Sequence, residues 1–352
     1  HTSDEHPWFA ASRASKDSPY RDYYIWRAGK DGAEPNNWQS YFGGSAWEYD
    51  AATGEYYLHL FSKKQPDLNW DNPAVRGEVQ KIMRWWLDKG IDGFRLDAIN
   101  MISKAPGLPD GAMTTPARYQ SGEQHYIYGP RFLQYLQEMK AAVLSQYDAF
   151  TVAETPLVTP EQAVALTNAA DGPISMVFQF DHLYLDQDPA APAPKWSTAP
   201  WSVVEFKQVM SRWQRALEGK GWNSIYLGNH DTPRSVSRFG DDRRYWRESA
   251  KLLATLVLTL QGTPYVYQGE EIGMTNVAFD TIADYRDVDA LNWHRLSLAE
   301  PGADEAAVMA QIHSKGRDNA RTPMQWDDSA NAGFTTGTPW IGVNPNYRRI
   351  NV

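Results

Sequence analysis

The segment Ile91-Asp92-Gly93-Phe94-Arg95-Leu96-Asp97-Ala98-Ile99-Asn100 is the most informative part of this chain. It is an apolar run that places Arg95 and Asp97 two positions apart, directly after a well-marked helix. Residues two apart on a strand share a face. We therefore expect a strand whose carboxyl end holds a guanidinium beside a carboxylate. Such a pair keeps the acid ionised, and an ionised carboxylate can act as a nucleophile.

The helix before this strand is predicted from its capping residues and its apolar periodicity. Asn72 can cap it and Pro73 suits its first turn, while Gly90 ends it. The predicted apolar stripe consists of Val75, Val79, Ile82, Met83 and Trp86.

The same order of helix and buried strand recurs along the chain. Further helices are predicted near 130–146, 160–169, 202–219 and 246–260, and they lead to strands at 150–154, 175–181, 224–231 and 263–270. Alternation of this kind indicates a parallel α/β fold, and polar residues that close each strand are typical of a (β/α)₈ barrel. Five such strands are found, whereas a closed barrel needs eight. Residues 1 to about 70 are expected to be irregular, with one short strand near residues 56–61.

Composition excludes several classes of protein. The chain has 352 residues and a net charge of −9, which argues against nucleic acid or an anionic membrane as its main partner. It contains no cysteine, so disulfides and thiolate catalysis are excluded. No apolar run reaches the length of a membrane helix. Neither a metal-binding spacing nor a phosphate-binding loop is present, so no metal and no cofactor are expected.

Three acids, each at the end of a separate predicted strand, are the candidate catalytic residues: Asp97, Glu154 and Asp231. Glu154 ends an apolar strand with no cation nearby in sequence, and an apolar setting favours its protonated form. One ionised acid and one protonated acid suit glycosidic cleavage, which is retaining if the two carboxyls stand about 5–5.5 Å apart. Taken singly, an acid at a strand end is more often a cap or a partner in an ion pair. Three in one parallel series favour catalysis.

Five ordered motifs resemble the α-amylase family, glycoside hydrolase family 13. They are Gln65–Trp70 (QPDLNW), Gly93–Asp97 (GFRLD), Val152–Glu154 (VAE), Gly228–Asp231 (GNHD) and Gly262–Glu271 (GTPYVYQGEE). The first of them and Ala320–Asp327 (ARTPMQWD) are similar to the oligo-1,6-glucosidase and α-glucosidase branch.

The resemblance implies a role for each candidate site residue. Asp97 is expected to be the nucleophile, Glu154 the general acid and base, and Asp231 the acid that holds the 2- and 3-hydroxyls of the sugar. Arg95 would orient Asp97. The substrate-binding candidates are His1, His230, and either Arg317 or Arg321, a choice that the sequence leaves open.

The resemblance also implies that this chain is a piece of a longer protein. The first two barrel strands, most of the third, and a C-terminal β domain of the family have no counterpart here. Residues 1–70 then match the excursion after the third strand, called domain B, and residues 71–352 match the rest of the barrel, with a subdomain inserted near 280–335. We expect the isolated chain to be insoluble or inactive, because an open barrel exposes its edges.

The expected activity is that of a retaining, exo-acting α-glucosidase on short α-1,4- or α-1,6-linked oligosaccharides. Ala98 follows the nucleophile where α-1,6-preferring members of this branch commonly carry Val, which favours some α-1,4 activity. The alternatives are a sucrose isomerase or trehalose synthase, a trehalose-6-phosphate hydrolase, and a non-catalytic relative. A cytoplasmic location follows the habit of the branch, and the oligomeric state stays open.

Overall fold

The computed structural model describes residues 1–191 and 193–352, which form two compact units. The first unit comprises His1–Phe180 and Ala216–Trp222, and the second comprises Asp181–Arg215 and Asn223–Val352. These are packing units of the chain. The division between a domain B and a barrel at residue 70 is a different kind of boundary, and it stays a prediction.

The first unit contains a small antiparallel sheet that precedes the parallel one. Helix α1 (Pro7–Ala14) is followed by strands β1 (Trp26–Arg27), β2 (Trp47–Asp50) and β3 (Glu55–Leu58), with β3 in the centre. β3 lies where a short strand was predicted. Large aromatic and aliphatic side chains fill the core beside this sheet, including Trp38, Trp47, Leu58, Leu60 and Tyr126.

The parallel sheet of the first unit carries the predicted strand around Arg95. Its strands are β4 (Gly93–Leu96), β5 (Phe150–Glu154) and β6 (Met176–Phe178), in that order and all parallel. The helices that alternate with them are α2 (Pro73–Leu87), α3 (Phe132–Ala142) and α4 (Pro160–Thr167).

Helix α2 begins as its sequence predicts, but its buried face is narrower. The Asn72 side chain accepts a hydrogen bond from the N–H of Ala74, and Pro73 occupies the first turn. Within the predicted stripe, Ile82 and Trp86 remain about half exposed, at 49% and 45%. Burial instead follows a single line of residues: Val75, Met83 and Leu87.

The second unit repeats the alternation with shorter strands. Strand β7 (Ser224–Ile225) pairs in parallel with β8 (Thr263–Pro264). Its helices are α5 (Val203–Leu217, of which residues 203–215 belong here), α6 (Ser235–Phe239), α7 (Trp246–Thr259), α8 (Val288–Leu298), α9 (Glu305–Lys315) and α10 (Asp318–Arg321).

All five predicted parallel strands are present, and four of them are shorter than predicted. The largest differences concern the strands expected at 224–231 and 263–270, each of which pairs over only two residues. Beyond Ile225 the chain leads into a turn in which the side chains of Thr232 and Asn229 accept the N–H groups of Asn229 and Asp231. No helix in the part of the chain that the structure describes is long and apolar enough to cross a bilayer.

Candidate active site

Asp97 and Glu154 lie at the carboxyl ends of adjacent parallel strands. In the β4–β5 register Leu96 pairs with Ala153, so the next step along both strands brings Asp97 level with Glu154. Their environments differ, since the side chain of Asp97 is 57% exposed and that of Glu154 is 15% exposed. The two acids therefore meet at one sheet edge with unequal access to water.

Arg95 contacts both of these carboxylates. One guanidinium nitrogen pairs with Oδ1 of Asp97, and Nη2 lies 2.9 Å from Oε2 of Glu154. No cation is near Glu154 in sequence, but the apolar setting inferred from this is wrong, because Arg95 lies beside Glu154 in space. The inference failed because Arg95 and Glu154 are far apart in sequence and become neighbours only through the β4–β5 pairing.

The loop after Asp97 supplies a further contact to Glu154. Ala98 adopts a left-handed conformation, with φ of 42°, and its N–H donates a hydrogen bond of 2.9 Å to Oε2 of Glu154. Nδ2 of the buried Asn100 donates to the carbonyl oxygen of Pro156, at 2.7 Å. This loop thereby fixes both Glu154 and the turn that follows it. Sequence reasoning missed these contacts, because they depend on a backbone N–H and on an amide pointing inward.

His1 belongs to the same unit as Asp97 and Glu154. Its ring nitrogen Nε2 is 3.0 Å from Nε2 of Gln65, and its ring packs against Phe61. The motif that begins at Gln65 is thus in direct contact with His1.

Asp67 in the same motif forms a buried ion pair. Its Oδ1 lies 2.8 Å from Nζ of Lys104, and its Oδ2 accepts the N–H of Leu60. Burial acts to raise the pKa of Asp67, but the charge of Lys104 and these hydrogen bonds outweigh it and hold that pKa below its ordinary value. Asp67 therefore stays ionised and ties the motif to the loop that follows Asn100.

Asp231 lies in the second unit, on a turn built by side chains. The hydroxyl of Thr232 accepts the N–H of Asn229 at 3.0 Å, and Oδ1 of Asn229 accepts the N–H of Asp231 at 2.8 Å. Nε2 of His230 is 3.1 Å from Oδ2 of Asp231. The motif Gly228–Asp231 is therefore a compact turn that holds His230 and Asp231 side by side.

Both candidate arginines contact Asp231. Its Oδ1 lies 3.2 Å from Nη1 of Arg317 and 2.8 Å from Nη2 of Arg321. Nε of Arg321 also donates to the carbonyl oxygen of His230, at 3.0 Å. The sequence left open which of Arg317 and Arg321 borders the sugar. In the structure, both arginines contact Asp231.

A second acid, Asp287, completes this group. Nη2 of Arg317 is 2.5 Å from Oδ1 of Asp287, whose side chain is fully buried. Burial acts to raise the pKa of Asp287, but its hydrogen bonds with Arg317 and the charge of that guanidinium hold the pKa below its ordinary value. Sequence reasoning missed Asp287. The signal available was its place before helix α8, which marks only a cap.

The candidate residues thus form two groups, one in each unit. Arg95, Asp97, Glu154 and His1 belong to the first, and His230, Asp231, Arg317 and Arg321 belong to the second. Among residues 1–191 and 193–352, no cluster of three or more His, Asp or Glu side chains is arranged to hold a metal ion.

Comparison with known proteins identifies the family. The alpha-amylase catalytic domain matches residues 1–352. The oligo-1,6-glucosidases of Parageobacillus thermoglucosidasius and Bacillus cereus are 63% and 58% identical to this chain, over its whole length. The trehalose-6-phosphate hydrolase of Bacillus subtilis is 48% identical. The chain spans 62%, 62% and 61% of these three relatives.

Solved structures agree over the whole chain. The trehalose-6-phosphate hydrolase of Bacillus licheniformis is 48% identical, with a TM-score of 0.92, and a trehalulose synthase is 48% identical, with a TM-score of 0.93. In each case the match covers all of this chain and 62% of the other. The predicted α/β fold is therefore confirmed as that of the alpha-amylase catalytic domain. This chain belongs to the alpha-amylase family, glycoside hydrolase family 13.

Proposed function

We propose that the protein containing this chain is a retaining, exo-acting α-glucosidase that releases terminal glucose from short oligosaccharides. The observation that carries this proposal is the contact of Arg95 with both Asp97 and Glu154, at the ends of adjacent strands in a member of this family. Two carboxyls in this position supply the nucleophile and the proton donor that glycosidic cleavage needs. The three catalytic carboxylates argue against the non-catalytic alternative.

The proposed roles divide the reaction among the three acids. Asp97 attacks the anomeric carbon while Glu154 gives a proton to the leaving oxygen. Glu154 then takes a proton from the water that releases the glucose. Asp231 binds the 2- and 3-hydroxyls of the same glucose, His230 and His1 donate to its hydroxyls, and Arg317 and Arg321 border its site. Family membership is the basis for assigning both groups of residues to one sugar.

The shared position of Arg95 suits both steps of this reaction. Before attack Asp97 must be ionised, and the guanidinium stabilises that charge. After attack Asp97 is an ester without charge, and Glu154 has lost its proton. Arg95 can then pair with Glu154, which it already contacts at 2.9 Å. One cation thereby supports the nucleophile in the first step and the general base in the second.

The names of the relatives and Ala98 bear on the linkage that is cleaved. Three relatives with identities of 63%, 58% and 58% are named oligo-1,6-glucosidases, and one at 52% is named alpha-glucosidase. We propose that α-1,6-linked glucose is cleaved and that Ala98 allows α-1,4-linked glucose as well. The similarity to trehalose-6-phosphate hydrolases and to a trehalulose synthase requires that both of those activities be tested.

The proposal is tested on the full-length protein with wild type, D97N, and D92N as the matched control. Asp92 is an exposed acid just before the start of β4, whereas Asp97 follows the end of that strand. Glucose release from maltose, isomaltose, sucrose, trehalose and trehalose 6-phosphate is measured, and the anomer of the first product is determined by NMR. We expect α-glucose from wild type and D92N, and a loss of about 10⁴-fold or more in D97N. Release of β-glucose, or unchanged turnover in D97N, would refute the proposal.

We further propose that the partner of this protein is a small oligosaccharide and that it acts in the cytoplasm. The net charge of −9 opposes binding to nucleic acid or to an anionic membrane surface. The lack of cysteine fits a reducing compartment. Fractionation of the native host, with activity followed in each fraction, tests the location.

A further inference from the structure

The carboxylate of Asp287 is held by several hydrogen bonds, although Asp287 lies in none of the motifs found in the sequence. Its Oδ1 accepts the N–H of Asp289 at the start of helix α8, and its own N–H donates to Oδ2 of Asp318 at 3.0 Å. The side chain is 0% exposed. Asp287 is therefore fixed by the helix start on one side and by a second buried acid on the other.

Arg317 divides its hydrogen bonds unequally between two acids. Its Nε lies 3.0 Å from each carboxylate oxygen of Asp287, and its Nη2 lies 2.5 Å from Oδ1. A single nitrogen, Nη1, reaches Asp231, at the longer distance of 3.2 Å. Asp287 is thus the main partner of this guanidinium, and Asp231 is the lesser one.

Asp231 must be able to release an arginine contact when a sugar binds. Its Oδ1 accepts hydrogen bonds from Arg317 and Arg321, yet the proposed reaction requires the same carboxylate to accept two sugar hydroxyls. An arginine with Asp231 as its principal anion would compete with the sugar. An arginine anchored elsewhere can stay in place while Asp231 changes partners.

We propose that Asp287 is a positioning residue. It keeps Arg317 anchored, so that Asp231 can exchange its arginine contact for the hydroxyls of a bound glucose. This role rests on the proposed function and deepens it, because it explains how a carboxylate that is paired in the free protein becomes available to substrate. Asp287 itself need not touch the sugar.

The test compares wild type, D287N and a matched control, D50N, in the full-length protein. Asp50 is also a buried aspartate, 2% exposed at its side chain, that pairs with an arginine, Arg13, at 2.8 Å. D287N removes the main anion of Arg317 with almost no change in shape, so Arg317 pairs more strongly with Asp231. We expect kcat/KM on isomaltose and maltose to fall, and the inhibition constant of glucose to rise, each by about tenfold or more. D50N should leave both unchanged.

A double-mutant cycle with R317Q separates positioning from a general structural effect. If Asp287 acts through Arg317, D287N/R317Q has the same kcat/KM as R317Q alone. A further tenfold fall in the double variant would overturn the proposal, as would normal kinetics and normal glucose inhibition in D287N. Should D287N fail to fold, D287N/R317Q is compared with R317Q alone, and the melting temperature of R317Q is recorded because that variant leaves the buried carboxylate of Asp287 without its main cation.

The two proposals fail in different ways. A folded wild-type protein without turnover on any of the substrates would contradict the proposed function. Glucose binding measured by calorimetry on wild type and D287N would then decide the role of Asp287 by itself. Turnover in wild type together with unchanged D287N would leave the proposed function standing and reject the positioning role.

Discussion

Ala98 combines two properties at the position after the proposed nucleophile. Its left-handed backbone, with φ of 42°, aims its N–H at Glu154, and its side chain is a single methyl group that packs against the core of the first unit. A non-glycine residue in this conformation costs about 1–2 kcal/mol, and a β-branched residue fits it worse. The residue is thus constrained by backbone geometry as well as by the substrate.

A98V should change the choice between linkages. Two added methyl groups beside Asp97 are worth about 1–3 kcal/mol in discrimination, so the maltose-to-isomaltose ratio of kcat/KM should fall about tenfold or more. The measurement is kcat/KM on both disaccharides, with the melting temperature recorded to detect backbone strain. A98G is the control, since it relieves the left-handed strain without filling space and should keep or raise the ratio. An unchanged ratio in A98V would contradict the role given to this side chain.

The limits of prediction at the residue scale follow from sequence distance. Asp97, Glu154 and Asp231 are candidates from the sequence because each stands in a short motif at a predicted strand end. The contact of Arg317 with Asp287 joins residues 30 positions apart, and that of Arg95 with Glu154 depends on strand pairing. Neither pairing has a local signal. The sequence therefore offers the candidate acids but not the cation beside Glu154.

At the scale of elements, the sequence indicates where helices begin but does not indicate where strands end. The N-caps of α2 and α4 come from Asn72 and Thr159, whose side chains bind backbone N–H groups nearby in sequence. The end of β7 depends instead on its pairing with β8 and on the turn made by Asn229 and Thr232. A continuous apolar run cannot show where such pairing stops. For this reason the sequence predicts one long strand over 224–231, although only its first two residues pair.

The β4–β5 pairing depends on the absence of a side chain at Gly93. A Cβ added there would overlap the carbonyl oxygen of Phe150, its partner on the adjacent strand. That contact is with backbone, which cannot rotate away. Because the same pairing brings Asp97 level with Glu154, a change at Gly93 reaches the proposed catalytic pair through the strand.

G93A should therefore lower stability and activity together. Relieving the overlap requires a backbone shift, which costs about 1–3 kcal/mol or more. Gly77 in the middle of α2 is the control, since a Cβ there meets nothing within 4 Å and alanine is favoured in a helix by about 1 kcal/mol. We expect a lower melting temperature and lower kcat in G93A, and an equal or higher melting temperature in G77A. Equal melting temperatures for both variants would show that the strand tolerates the methyl group.

At the scale of the whole molecule, buried charges make stability depend on pH. His182 is fully buried, and burial together with the charge of Arg238 lowers its pKa to about 3. Asp67, Asp186 and Asp287 have pKa values held below the ordinary range, despite burial, by the cations beside them. Such acids contribute stability above their unfolded pKa values, and that contribution is lost only as pH falls through the lower folded values. The pH window of His182 extends higher, from 6.5 down to about 3.

The effect of His182 can be tested above pH 4.5, where Asp67, Asp186 and Asp287 keep their charge. Between pH 6.5 and about 3 the unfolded chain binds a proton at His182 and the folded chain does not, so stability falls as pH falls. The slope from this one group approaches about 1.4 kcal/mol per pH unit. Melting temperatures from pH 7 to pH 4.5 should therefore fall more steeply in wild type than in H182Q, which has no proton to bind. H182Q is expected to be less stable at pH 7, because its amide replaces a ring packed against Tyr226, so the slopes are the relevant comparison. Parallel curves would mean that His182 takes up its proton without unfolding.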